Sequence, residues 1–166
     1  PLEANVALER ILAEVPDYPS TDKVLYELAW NLHEREEVSQ ANQQFSLLVK
    51  HHPTSPLAAE AQYMVAQHDY DTGNYEQAIG GYRRVLESTA DQELLEKSLY
   101  KLGWCLFQVK QYNEAAKILD QQTSKFPVGA LAVDGLFMRA ECDFKQDRFE
   151  EALGGFRRAR SALENQ

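Results

Sequence analysis

The chain has 166 residues, of which 44% are hydrophobic and 26% are charged, and its formal net charge is −9. This composition is typical of a folded domain, and the negative charge disfavours binding to nucleic acid or to an anionic membrane surface, because both depend on lysine and arginine. No apolar run approaches the roughly 18–20 residues needed to cross a bilayer, so we expect no direct membrane insertion. The charge balance favours basic partners.

Several types of residue recur along the chain every 37 residues. Four independent columns keep this step, which indicates a tandem array of repeats. The columns are Ala4, Ala41, Ala78, Ala115 and Ala152; Pro16, Pro53 and Pro127, with Ala90 in the vacant place; Tyr26, Tyr63, Tyr100 and Phe137; and Phe45, Tyr82, Leu119 and Phe156.

A second period of 74 residues lies over the first. The stretch "LYELAWNL" (25–32) matches "LYKLGWCL" (99–106), and "YEQAIGGYRRVL" (75–86) matches "FEEALGGFRRAR" (149–160). Two types of unit therefore alternate, as if a pair of units had been duplicated. The paired glycines are unexpected, since each glycine costs a helix interior about 1 kcal/mol relative to alanine. We expect them to permit close approach of a neighbouring helix, or to lie on an exposed face, rather than to bind a ligand.

In chain order, residues 1–20 are predicted to hold the second helix of a truncated unit and a linker, followed by two-helix units at 21–56, 57–93, 94–129 and 130–166. The third unit shows the pattern most clearly: Leu99, Leu102, Gly103 and Leu106 form one helical stripe, and a second amphipathic run covers 112–125. Gly73 marks the turn between the two helices of the preceding unit. No stretch alternates long enough to predict a sheet.

This pattern resembles the tetratricopeptide repeat family. The family pattern W-x2-L-G-x2-Y, then A-x3-F, then P is matched by Leu99-x2-Leu102-Gly103-x2-Leu106, Ala115-x3-Leu119 and Pro127 in the third unit. The resemblance covers nearly the whole chain and implies an all-α fold, a right-handed superhelical solenoid of helix-turn-helix repeats. A variant of this kind is similar to tetratricopeptide proteins of the bacterial cell envelope, so the periplasm or envelope is favoured over the cytoplasm.

The period of 37 exceeds the usual tetratricopeptide period of about 34 residues. The extra residues fall around 56–58 and 130–132, and because they are apolar we expect them to start the next helix early and lengthen it by about one turn. The chain begins at Pro1, and no polar capping helix follows residue 160. Since repeat arrays usually need such caps, we expect the array to continue beyond one or both ends, or its end units to pair with another chain.

The resemblance implies that one face of the first helix of each unit lines a concave groove that receives a protein or peptide partner. Glu60, Asp71, Asp134 and Glu141 are expected near it. The twelve candidate groove residues are Tyr26, Trp30 and His33; Tyr63, Gln67 and Tyr70; Tyr100, Trp104 and Phe107; and Phe137, Glu141 and Phe144. The alternative for the first and third residue of each unit is packing between repeats. The lysine and asparagine clamp of chaperone-binding members is absent from these positions.

Nothing in the sequence predicts a catalytic residue, a metal site or a cofactor. The histidines lack the spacing of a zinc-protease helix, "DYDTGNYE" (69–76) fails the calcium-loop spacing, and no phosphate loop is present. Cys105 and Cys142 lie 37 residues apart in equivalent places and are predicted to be buried thiols rather than a disulfide. The leading hypothesis is a non-enzymatic interaction scaffold for a basic or aromatic-rich partner. The alternatives are homo-oligomeric assembly and an accessory repeat region of an envelope assembly or export complex.

Overall fold

The computed structural model describes residues 2–15 and 18–164. These residues form helices and turns with no strand, so the predicted all-α solenoid of tandem helix-turn-helix units is confirmed. The helices are α1 (Leu2–Glu14), α2 (Thr21–Glu34), α3 (Val38–His51), α4 (Ala58–Asp71), α5 (Tyr75–Ser88), α6 (Gln92–Gln108), α7 (Tyr112–Lys125), α8 (Ala132–Phe144) and α9 (Phe149–Glu164).

Each helix packs against the next one in the chain. The first helices of the units are α2, α4, α6 and α8, and the second helices are α3, α5, α7 and α9. The first helices also contact one another, α4 with α6 and α6 with α8, whereas successive second helices make no comparable contact within the described residues. The array therefore curves with its first helices on the inner side, and this side is the concave face.

The four turns between the two helices of a unit share one backbone geometry. Glu36, Gly73, Lys110 and Asp147 all have φ between 59° and 78°, and they lie exactly one period apart. In each turn the next amide donates to a carbonyl five residues back, as Asn74 does to Asp69, which closes a Schellman-type helix end. In three units a residue with a side chain thus adopts the left-handed backbone conformation. Only the second unit has glycine at this place, and Gly73 lies in the turn as predicted.

Small residues hold the two helices of a unit together. The alanines of the repeating column at Ala41, Ala78, Ala115 and Ala152 are buried. Their first member, Ala4, is exposed, since no helix precedes α1 in the described part of the chain. In the third unit, a Cβ placed on Gly103 of α6 would lie 2.7 Å from Leu119 Cγ of α7, so the two helices approach closely at this point.

Each glycine pair contains one glycine that the packing requires and one that it does not. A Cβ on Gly81 would lie 2.6 Å from Ala66 Cβ of α4, and a Cβ on Gly155 would lie 2.7 Å from Ala140 Cβ of α8. The preceding glycines face open space: a Cβ on Gly80 would meet only the end of the Arg84 side chain at 3.9 Å. Both expectations for the pair, close approach and tolerance, are therefore confirmed, each for a different glycine.

The extra residues of the longer repeat do not lengthen α4 or α8, so that prediction is wrong. They form turns over 53–57 and 127–131, where Ala58 donates to Ser55 and Ala132 donates to Gly129. Proline and glycine in these segments favour turns over a helical extension. Among the first helices of the units, only α6 is longer, with 17 residues. Asp91 accepts a hydrogen bond from the Leu94 amide (2.8 Å) and so caps an early start of this helix.

A carboxylate secures each of the two longer turns, and the two turns use it differently. In the first, Asp22 accepts from the Ser55 hydroxyl (2.6 Å), and that hydroxyl accepts from the Leu57 amide (3.2 Å). In the second, 74 residues later, Glu96 accepts directly from the Leu131 amide (2.9 Å). A Cβ on Gly129, the counterpart of Ser55, would overlap the Glu96 carboxylate. Aspartate with serine and glutamate with glycine are thus alternative solutions for the same turn.

The hydrogen bond from Ser55 is the main cause that lowers the pKa of Asp22. Because the folded state favours the ionised carboxylate, this contribution to stability is present above the ordinary carboxyl pKa. It is lost as the pH falls through the lowered value.

The glycine pairs give a matched test of the packing. We expect Gly81→Ala to destabilise the fold by about 1–3 kcal/mol, because the added methyl group meets Ala66 and the α4 backbone. Gly80→Ala should stabilise it by about 0.5–1 kcal/mol, since alanine is the better helix former at an open position. Urea unfolding of both variants measures the difference. Equal midpoints for the two variants would contradict the packing described above.

The turn carboxylates give a second test. We expect Gly129→Ser alone to cost about 1–2 kcal/mol, because the new side chain displaces the buried Glu96 carboxylate from the Leu131 amide. Adding Glu96→Asp should restore most of this loss by recreating the arrangement of Asp22 and Ser55. Thermal unfolding of the single and double variants provides the measurement, with Val128→Ala in the same turn as the control. A double variant no more stable than Gly129→Ser would refute the equivalence.

Candidate functional site

The twelve candidate groove residues lie on α2, α4, α6 and α8, the helices of the concave face. Ten of them are half-buried. The other two, Phe137 and Phe144, lie on α8, the first helix of the last unit, and are 48% and 47% exposed. A half-buried aromatic side chain has one face fixed by the protein and one open to a partner. The repeat therefore places a continuous series of such side chains along the inner side of the array.

The first aromatic column packs on the second helix of its own unit. The ring centroids are 6.2 Å apart for Tyr26 and Phe45, 5.6 Å for Tyr63 and Tyr82, and 5.2 Å for Phe137 and Phe156. The alternative kept open from the sequence was packing between repeats. These ring pairs lie within a repeat, so the column helps to hold each pair of helices together.

The third column packs on the first residue of the second helix, across the turn. The centroid distances are 5.9 Å for Tyr70 and Tyr75, 5.2 Å for Phe107 and Tyr112, and 5.6 Å for Phe144 and Phe149. Tyr70 also contacts the following unit, since Lys101 Nζ of α6 lies 3.9 Å from the centroid of its ring. This column thus stabilises the turns and contributes one contact between repeats.

The middle column is the most varied. Trp30 makes edge contacts with Tyr26, His33 and Phe45, at centroid distances between 5.4 and 6.2 Å. Trp104 stacks on Phe107 at 6.3 Å.

The other two units carry polar residues at this position. Gln67 accepts from the Tyr82 hydroxyl (3.2 Å) and donates to Asp71 (2.7 Å). Glu141 is half-buried on α8. The two tryptophans therefore supply the large aromatic surfaces of the face.

A pocket of about 410 Å³ opens on this face between α2, α4 and the start of α6. The sequence identified two of its aromatic walls, Trp30 and Tyr63, and placed Glu60 near the groove. It missed the wall that α6 supplies, which the N-cap pattern at Asp91 could have indicated. The lining consists of Trp30, Pro56, Ala59, Glu60, Tyr63, Met64, Thr89, Asp91, Glu93, Leu94 and Lys97.

Acidic side chains help to raise the pKa of two tyrosines on the concave face. Burial, followed by the Glu60 carboxylate of the next unit, raises the pKa of Tyr26 to about 12. Burial, followed by the charge of Asp134, also raises the pKa of Tyr100. Tyr26 and Tyr100, like Glu60 and Asp134, are 74 residues apart, so the tyrosine–carboxylate arrangement repeats with the longer period.

A larger, charged recess of about 510 Å³ lies between α8 and α9. Its central group is the buried Asp143, which forms ion pairs with Arg139 (2.5 Å) and Arg148 (2.8 Å). Arg139 also donates to both carboxylate oxygens of Asp120 at 3.0 Å. These ion pairs link α7, α8 and the turn before α9.

The cysteines are buried and free, as predicted. Burial raises the pKa of each thiol, Cys105 and Cys142, to about 12, so neither is a reactive thiolate at neutral pH. Within the described residues, no group of three histidine, cysteine or acidic side chains is placed to hold a metal ion.

None of the helices in residues 2–15 and 18–164 combines the length and the apolar character that a membrane-spanning helix needs.

Comparison with known proteins agrees with this geometry. A stretch of 82 residues is 33% identical to the ancillary SecYEG translocon subunit of Neisseria gonorrhoeae and covers 49% of this chain and 39% of that protein. The chain thus spans about two fifths of the length of this relative. MamA superposes with a TM-score of 0.79 at 17% identity, over 97% of this chain and 87% of MamA.

The apo form of RapI superposes equally well, with a TM-score of 0.79 at 18% identity, over 95% of this chain and 46% of RapI. At these identities the two structures show the shared fold. The family described as tetratricopeptide repeat-like domain matches residues 20–166. The match includes all four two-helix units, and with their repeating columns and turns it shows that the chain belongs to the tetratricopeptide repeat-like domain family.

Proposed function

We propose that the chain is a non-catalytic interaction scaffold that binds a segment of a partner protein along its concave face. The observation that supports this most directly is the series of half-buried aromatic side chains on α2, α4 and α6, which two exposed phenylalanines continue on α8, with a pocket of about 410 Å³ between α2, α4 and α6. Large aromatic side chains dominate protein-binding hot spots, since they bury much area with few rotatable bonds. Trp30 and Trp104 are the proposed anchors.

The charge of the chain suits a basic or aromatic-rich protein segment and opposes nucleic acid. Its net charge is −9. Acidic residues on the first helices, including Glu60, Asp71, Asp134 and Glu141, lie beside the aromatic columns, so electrostatic complementarity favours lysine and arginine in the partner. The twelve groove residues remain candidate contacts in this proposal, with the tryptophans as the strongest.

The cell envelope is the setting we propose for this scaffold. The relative in Neisseria gonorrhoeae is, by name, an ancillary subunit of a translocon, which supports a role as an accessory repeat region of an envelope assembly or export complex. Because the chain spans only part of that relative, this role is proposed for the longer protein to which such a region would belong.

Removal of both anchors tests the groove. Peptides that bind the immobilised chain are first selected from a display library of random dodecapeptides, and the tightest one is synthesised. We expect Trp30→Ala with Trp104→Ala to weaken its binding at least tenfold, because hot-spot aromatics carry most of the affinity. Isothermal titration calorimetry measures the affinities.

The matched control is Val128→Ala, which changes an apolar side chain that is 93% exposed in the turn before α8. Circular dichroism first verifies that the double variant keeps its helices. A folded double variant with the affinity of the original chain would remove the groove from the proposal.

Assembly of copies is a second candidate function, and the outer face of α9 favours it. This face is defined by three exposed apolar side chains of α9: Phe149 (56% exposed), Leu153 (51%) and Leu163 (61%). Their counterparts 37 residues earlier are Tyr112, Ala116 and Phe126, which are buried or half-buried beside α8. The last unit thus presents an apolar surface of the kind that the earlier units cover with the next helix.

If this face pairs copies, the weight-average mass measured by static light scattering should rise with protein concentration. Leu153→Glu should abolish the rise, because a buried, unpaired carboxylate opposes association. Val128→Glu adds the same charge at an exposed site and should leave the rise unchanged. A monomer mass at every concentration would exclude the assembly hypothesis.

A further inference from the structure

We propose that the pocket between α2, α4 and the start of α6 receives a lysine or arginine side chain of the partner segment. This inference rests on the proposed function of the concave face and names the side chain that the pocket selects. The pocket is the point at which three successive first helices meet, so it can read one partner residue with groups from three units.

The aromatic walls suit a cation. Trp30 and Tyr63 border the pocket from neighbouring helices, and each is half-buried with its other face held by its own unit. A cationic side chain is attracted to the face of such a ring, with tryptophan the strongest partner. Met64, also in the lining, is flexible and polarisable and can adjust to the aliphatic part of a long side chain.

Of the three carboxylates in the lining, Glu60, Asp91 and Glu93, only Glu93 pairs with a cation within the described residues. Lys97 pairs with Glu93 (2.5 Å), and Asp91 caps α6 through the Leu94 amide, where it offsets the positive end of the helix dipole. No cationic side chain pairs with Glu60 within the described residues, and its carboxylate interacts with the Tyr26 side chain. A carboxylate that accepts one hydroxyl keeps further acceptor capacity for an ammonium or guanidinium group.

A lysine, an aromatic ring and a carboxylate already meet at another point of the concave face. Lys101 of α6 lies over the Tyr70 ring of α4, and the charge of Asp71 acts on the same ammonium group. Aromatic rings and carboxylates of this face can therefore hold a cationic side chain.

The extra helical turn of α6 explains why the pocket forms here. Turns rather than helix precede α4 and α8, whereas α6 starts at Gln92 behind its Asp91 cap. This early start brings Glu93 and Leu94 to the third wall.

The test uses the synthetic dodecapeptide selected on the immobilised chain and a second peptide in which norleucine replaces its basic residue. Norleucine keeps the straight aliphatic chain and removes the charge. On the original chain, we expect the replacement to weaken binding at least tenfold. On Glu60→Gln, the same replacement should change binding less than threefold, because the carboxylate that recognises the charge is gone.

Glu87→Gln on α5 is the matched control, since it removes one acidic charge at an exposed position on a second helix. It should keep the full discrimination between the two peptides. Selected peptides without a lysine or arginine, or equal discrimination by Glu60→Gln and the original chain, would overturn this inference. If those peptides still lost affinity with Trp30→Ala and Trp104→Ala, the proposed function would stand; if they did not, both proposals would fail.

Discussion

Close approach of two helix backbones within each unit is the contact on which the rest of the array depends. Alanine on one helix and glycine on the other meet in the second and fourth units, at Ala66 with Gly81 and at Ala140 with Gly155. In the third unit the glycine, Gly103, lies on the first helix, and the larger residue that it contacts, Leu119, lies on the second helix. Because protein interiors are close-packed, one added methyl group has no room at these points. The second and fourth units, which match each other over the 74-residue period, share the same pair of small residues.

The turns position each pair of helices on the next pair. All four turns within units place one residue in the left-handed region, and the main-chain hydrogen bonds that follow it end the first helix at the same place each time. The two longer turns between units use a buried or half-buried carboxylate, Asp22 or Glu96, to hold an amide that would otherwise lack a partner. Different residues thus give the same backbone path in these two turns and hold each following unit in register with the one before it.

The concave face follows from this register. The aromatic residues of the first and third columns pack on their own units, so their rings are held in place before any partner binds. Trp30 and Trp104 lie between these columns with part of their surface open. Preorganised aromatic side chains lose little entropy on binding, which favours affinity. The pocket beside Trp30 adds a carboxylate and a third wall from α6.

The sequence by itself determined the all-α class, the two-helix repeat and the close contacts of the helices, because period, small residues and turn residues are local properties that every unit repeats. It also placed the candidate residues on one face, since three residues at helical spacing share a face wherever the helix lies. Only the tertiary structure decided which glycine of each pair is required, because Gly80 and Gly81 differ in what another helix brings near them. It likewise decided which rings of the first and third columns pair within units, that the extra residues form turns, and that α6 closes a pocket. These features depend on distances between segments far apart in the chain, and no local pattern of residues specifies such distances.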